Sequence, residues 1–151
     1  MKNIWLVVPC YNEEEVLPET SRQLKAVMQS MIDSGKISPE SKIAFVNDGS
    51  KDNTWNIISA LCTDDGIFAG INLSRNKGHQ NALLAGLMTA KKYADAVISL
   101  DADLQDDVDA IEKMVDNFIA GDDIVYGVRS SRKKDTFFKR FTAEGCLLYT
   151  S

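Results

Sequence analysis

Short apolar runs alternate along this chain with stretches whose apolar residues recur at helical spacing, and few folds accommodate that alternation. The runs are "IWLVV" (4–8), "KIAFVN" (42–47), "IFAGINL" (67–73), "AVISL" (96–100) and "DIVYGV" (123–128). Between the first two, Val16, Leu17, Leu24, Val27, Met28 and Met31 mark a helix over 16–32, with Asn12 as its cap and Glu13, Glu14 and Glu15 in its first turn. A short helix capped by Asp52 or Thr54 follows the second run. "HQNALLAGLMTAKKY" (79–93) reads as a third helix. Ile111, Met114, Val115 and Phe118 mark a fourth over 108–120. Strands linked through helices by short connections predict an α/β fold, with a mostly parallel sheet covered on both faces. In such sheets ligands bind beyond the carboxyl ends of the strands. The loops after Val8, Asn47, Leu73, Leu100 and Val128 are therefore expected on one rim, and they are the most polar parts of the chain.

The chain's 151 residues fit one domain with a sizeable core. A net charge of −5 disfavours a general binder of nucleic acid or anionic membrane. Against that balance, Arg129, Arg132, Lys133, Lys134, Lys139 and Arg140 form a basic cluster late in the chain. Cys10, Cys62 and Cys146 are odd in number and lack metal-ligand spacing, which points to a reducing compartment rather than a disulfide framework. No apolar run is long enough to cross a bilayer. The abrupt "CLLYTS" (146–151) after Glu144-Gly145 has two readings, a non-native tail on a fragment and a short C-terminal helix. Oligomeric state is not legible in the sequence.

The most chemically pointed stretch is "VISLDADLQDDVDAIE" (97–112). Its acids match the ligand positions of a calcium loop, but Asp106 stands where that loop needs Gly, and a strand precedes it instead of a helix. The other reading uses Asp101 and Asp103 alone. At i and i+2 on a strand end both can point to one side, and two carboxylates about 4 Å apart repel by roughly 4 kcal/mol at an effective dielectric of about 20. Mg²⁺ or Mn²⁺ would remove that penalty, completing its shell with water and a substrate phosphate. Asp106, Asp107 and Asp109 are better read as the start of the fourth helix.

The other loops each carry two readings. "VVPCYNEEE" is a helix start, or its 9–13 backbone abuts a nucleotide base or ribose. In "VNDGSKDNTW", Asp48-Gly49 is a turn signal, or Asp48 accepts hydrogen bonds from a base or ribose. Arg75, Asn76 and Lys77 precede a helix N-terminus, where cations oppose the helix dipole, so a bound anion would suit both. His79, the only histidine, reads first as a solvated or hydrogen-bonded helix-start residue. "GVRSSRKKD" is a solvated loop, or Arg129 and Arg132 clamp a phosphate while the lysines face anionic headgroups. Neither a dinucleotide fingerprint nor a P-loop occurs.

Five motifs in one order, "VVPCYNEEE", "VNDGSKDNT", "LSRNKGHQNALLAGL", "LDADLQDD" and "YGVRSSRKKD", resemble the family 2 glycosyltransferases of GT-A fold, and within them the polyprenyl-phosphate branch. The resemblance implies that Pro9, Tyr11, Glu13 and Asp48 surround the nucleotide. It implies that Asp101 and Asp103 are the Asp-x-Asp metal pair, with Gln105 beside the sugar or metal, and that Arg129 and Arg132 bind the lipid phosphate. The implied reaction moves a sugar, with inversion, from a nucleotide diphosphate sugar to a polyprenyl phosphate at the cytoplasmic face of a membrane, with Mg²⁺ or Mn²⁺ as cofactor. A UDP-sugar is favoured over a GDP-sugar. Arg75 and Lys77 would help the metal stabilise the departing diphosphate. Asp107 stands where the family usually has Pro, and Lys77 where an aromatic is common. Family members continue into an acceptor-side helix and usually membrane helices, so residues 1–145 are expected to be the nucleotide-sugar-binding part of a longer protein. A hydroxyl acceptor in polysaccharide synthesis, and an inert nucleotide-binding or interaction module, are the rival readings.

Overall fold

A computed structural model describes residues 1–104 and 108–121 in full, and the backbone of strands over 124–128, 136–141 and 147–149. The elements run β1 (Ile4–Cys10), α1 (Leu17–Asp33), β2 (Lys42–Asp48), α2 (Thr54–Asp64), β3 (Phe68–Leu73), α3 (His79–Ala90), β4 (Ala96–Ser99), α4 (Asp109–Ile119), β5 (Ile124–Val128), β6 (Thr136–Phe141) and β7 (Leu147–Tyr149). The first four strands form one parallel sheet in the order β3-β2-β1-β4. The alternation of runs and helices thus gives the expected α/β sheet with helices on both faces.

All seven residues of β1 are buried, and their alternation divides the core. Ile4, Leu6 and Val8 face the side where Leu17, Leu24, Met28, Ile58, Ile111 and Met114 pack from α1, α2 and α4. Trp5 and Val7 face the other side, covered by Ala82, Leu83 and Ala90 of α3. Gly86 lets α3 lie this close: a Cβ there would stand 2.4 Å from Val7 Cγ1 and 2.9 Å from Val46 Cγ2.

Three expectations are corrected. The strand over 124–128 forms but does not join the parallel sheet. β5 pairs antiparallel with β6, and β6 with β7, in a separate three-stranded sheet. Consecutive strands with a short link pair as a hairpin, whereas a parallel partner needs a long crossover. β6 was missed because its basic residues mask the Thr136-Phe137-Phe138 β signal. β7 likewise overturns the helical reading of the tail. At the other end, α1 begins at Leu17, so Asn12 does not cap it and Glu13–Glu15 precede it. Pro18 explains the boundary, since it is tolerated in the first turn and not deeper.

Candidate active site

β1 and β2 lie on one side of a crossover that returns the chain to β4 on the other side of β1. The topological switch point therefore falls between β1 and β4. Pairing between these two strands ends at Val7 and Ser99, with a last tie from the Leu100 N–H to the Val7 carbonyl at 3.0 Å. Beyond it β1 continues to Cys10 paired only with β2. Pro9, which has no N–H to donate, is accommodated because β4 has already ended. The parted strands open a cavity of about 390 Å³ lined by Pro9, Cys10, Tyr11, Glu13, Asp48, His79, Ala82, Asp101, Ala102 and Asp103.

The wall from β1 and β2 is stitched by reciprocal hydrogen bonds. The Asn12 N–H donates to Ser50 Oγ at 2.9 Å, and the Lys51 N–H to Asn12 Oδ1 at 2.8 Å. Asn12 has a φ of +52°, a left-handed conformation that Asn tolerates. The Glu13 N–H donates to Thr54 Oγ1 at 2.8 Å, and the Glu14 N–H to Asp52 Oδ2 at 3.3 Å. Asp52 Oδ1 also accepts the Thr54 N–H at 2.9 Å, but the cap position of α2 is Asn53, with no side-chain cap hydrogen bond, so neither Asp52 nor Thr54 is the cap expected. Burial alone would raise the Asp52 pKa, but the bonds from Thr54 and Glu14 outweigh it and hold the carboxyl below its usual value. Asp48, 3% exposed at the end of β2, accepts the Lys77 N–H on Oδ1 at 2.7 Å and so ties the β3–α3 loop to the site. Gly49 makes that approach possible. Its φ is +68°, and a Cβ would fall 2.2 Å from the Asn76 nitrogen.

Asp101 and Asp103 form the opposite wall. β4 ends at Ser99, and the two acids sit in a turn that the Leu104 N–H begins to close on the Asp101 carbonyl at 3.4 Å. The turn, not the alternation of a strand, brings both to the cavity. The Glu13 carboxyl is pushed above its usual pKa by burial first, then by the charges of Asp103, Asp101 and Asp52. Four acidic side chains thus share one field. Among the described residues no group of three or more His, Cys, Asp or Glu is close enough to hold a metal by itself. Two carboxylates facing space for phosphate and water fit Mg²⁺ or Mn²⁺, which bind through one or two carboxylates. The strand before these acids also rules out the helix that a calcium loop requires.

Of the residues singled out in the sequence, Pro9, Tyr11, Glu13, Asp48, Asp101 and Asp103 converge on this cavity. Arg75 and Lys77 do not line it; they stand on the loop leading to α3, where Lys77 contributes its backbone N–H. Gln105, Arg129 and Arg132 lie outside the described residues, as does the loop after Val128. His79 is a helix-start residue, as read, yet it also lines the cavity. It was undervalued because only the fold shows that the α3 N-terminus, which no side chain caps, stands at the site. Cys10 and Ala82 were missed, since nothing but β1 extending past Pro9 and the seating of α3 puts them there.

A parallel α/β sheet thus brings an acidic turn and a helix N-terminus without a side-chain cap together at its switch point. Residues 5–147 match the family described as Glycosyl transferase family 2, and the chain belongs to that family. It is 54% identical over 140 residues to an uncharacterized glycosyltransferase, YkoT, of Bacillus subtilis (strain 168), covering 93% of this chain and 42% of that protein. It is 41% identical over 142 residues to the bactoprenol glucosyl transferase of Shigella phage SfV, covering 93% of this chain and 43% of that one. Among solved structures it resembles S. aureus TarS 1–349 in complex with UDP-GlcNAc, with a TM-score of 0.54 at 20% identity over 81% of this chain and 33% of that one. That likeness supports the GT-A fold. The chain spans about two fifths of the length of the curated relatives it matches.

Proposed function

We propose that residues 1–145 form the nucleotide-sugar-binding part of an enzyme that moves a sugar from a nucleotide diphosphate sugar to a polyprenyl phosphate, with inversion. The observation that carries this reading is the convergence of Asp101 and Asp103 with Glu13, Asp48 and the α3 N-terminus in one cavity. Asp101 and Asp103 would hold Mg²⁺ or Mn²⁺, which when bound neutralises charge developing on the leaving diphosphate. Pro9, Tyr11, Glu13 and Asp48 would orient the nucleoside, and a UDP-sugar is the favoured donor. The α3 N-terminus, with its uncommitted N–H groups, offers a phosphate a favourable dipole. Arg75 and Lys77 add positive charge nearby, and Arg129 and Arg132 would align the acceptor phosphate. A phosphate acceptor is already ionised at neutral pH, so the chemistry asks less of a general base than an alcohol would. The relatives named bactoprenol glucosyl transferase support a lipid phosphate over a hydroxyl acceptor. No helix of the described residues is long and apolar enough to cross a membrane. Contact with a membrane surface would come through the basic segment or through a further part of a longer protein.

Calorimetry with UDP and GDP, each with and without Mn²⁺, tests the reading. UDP should bind more tightly than GDP, and Mn²⁺ should strengthen binding in wild type but not in Asp103→Asn. Equal Mn²⁺ enhancement in that variant would remove the acidic pair from the site.

A further inference from the structure

We propose that Thr20 is a positioning residue for the acidic pair, its hydroxyl setting the turn that aims Asp101 and Asp103 at the cavity. The inference rests on the reading of that pair as a cation site. Thr20 lies on α1 and is 3% exposed. Its Oγ1 donates to the Ala102 carbonyl at 2.6 Å, joining residues 82 positions apart. Ala102 stands between the two aspartates and is 2% exposed. No solvent therefore replaces this donor if it is lost, and a buried carbonyl without a partner pulls its peptide toward another arrangement. The neighbouring Ser21 makes a contrast: its hydroxyl turns back on its own helix, to the Pro18 carbonyl at 2.9 Å. The Thr20 hydroxyl is spent on the acidic turn instead.

The turn needs such a tie. Leu104 closes it with a φ of +35°, a conformation an L side chain adopts only when its surroundings impose it. Three contacts impose it here. The Leu100 N–H is fixed to Val7 on β1, the Leu104 side chain packs against the core, and Thr20 holds the carbonyl between. The first two anchor the ends of the turn. Thr20 holds its middle, at the peptide between the two carboxylates.

The test compares Thr20→Val, which keeps the shape and removes the donor, with Thr20→Ser, which keeps the donor. Mn²⁺ affinity in the presence of UDP is read by calorimetry and by the Mn²⁺ paramagnetic resonance signal, at a temperature where all variants are folded by circular dichroism. Thr20→Val should weaken Mn²⁺ binding about tenfold, as loss of a partner that orients a metal ligand does, and leave metal-free UDP affinity unchanged. Thr20→Ser should stay close to wild type. Thr20→Ala carries the same comparison if Thr20→Val does not fold. Wild-type Mn²⁺ affinity in the donorless variant, or equal losses with and without metal, overturns the positioning role. Asp103→Asn, run alongside, separates the two levels. If it abolishes the Mn²⁺ effect while Thr20→Val does nothing, only the Thr20 inference falls. If it changes nothing, the cation site falls as well.

Discussion

Glu13 shows how far a single side chain's chemistry depends on its neighbours. Its folded-state pKa lies above the unfolded one, because burial and the nearby Asp103, Asp101 and Asp52 all penalise its charge. The folded state then holds the proton more tightly, so stability is lost as pH rises through the window between the two values. Glu13→Gln removes that loss. In the absence of metal the variant should match wild type below about pH 4 and exceed it by about 1 kcal/mol at pH 7, water around the half-exposed carboxyl keeping the gain small. Thermal melts across pH measure this. Asp52 works in the opposite sense. Its lowered pKa contributes stability above the unfolded value, and that contribution disappears as pH falls through the folded one. Asp52→Ala should cost about 1 kcal/mol at pH 7, through loss of the hydrogen bonds from Thr54 and Glu14, with the gap narrowing at acid pH as the folded-state carboxyl takes up its proton. Urea unfolding at both pH values checks it.

At the scale of elements, the site is made by loops pressed against one another, and glycines set how closely. Gly49 combines a left-handed backbone with a neighbour a Cβ would overlap. Gly49→Ala should therefore cost more than about 2 kcal/mol, strain and clash acting together, and should weaken nucleotide binding by displacing Lys77 from Asp48. Denaturation and UDP titration of the same sample separate the two effects. Gly86→Ala meets only side chains of β1 and β2, so it should lower stability by about 1–3 kcal/mol with a smaller effect on UDP affinity. That contrast would assign the ligand's sensitivity to the loops after β2 and β3 rather than to the part of α3 around Gly86.

For the whole molecule, the strand order β3-β2-β1-β4 makes the site. Loops distant in sequence meet because β1 is central and β4 stops short of its end. Hydrogen exchange with UDP and Mn²⁺ should show slowing at residues 10–13, 77–82 and 101–104, while β1 and β2 away from the rim, already protected by burial, hardly change. Uniform slowing across the sheet would mean a global gain in stability without a site at the switch point.

Apolar periodicity was enough to place four strands and four helices, since burying one face of a helix or both faces of a central strand leaves a direct mark on composition. The acids after β4, and the polar loops ending β1 and β2, were legible because such residues have no place in a core. Strand order and pairing are different: any apolar run can pair with several others, so β5 read as one more parallel strand until β6 claimed it. The same holds within the site. Sequence supplied Asp101 and Asp103 but gave a strand's alternation as the reason for their alignment, and it gave no sign of Thr20, 82 positions from the carbonyl it holds. Chemistry carried by one residue type is local and survives in the sequence. The angle at which two residues face a ligand depends on contacts between distant segments, and only the folded chain brings those segments together.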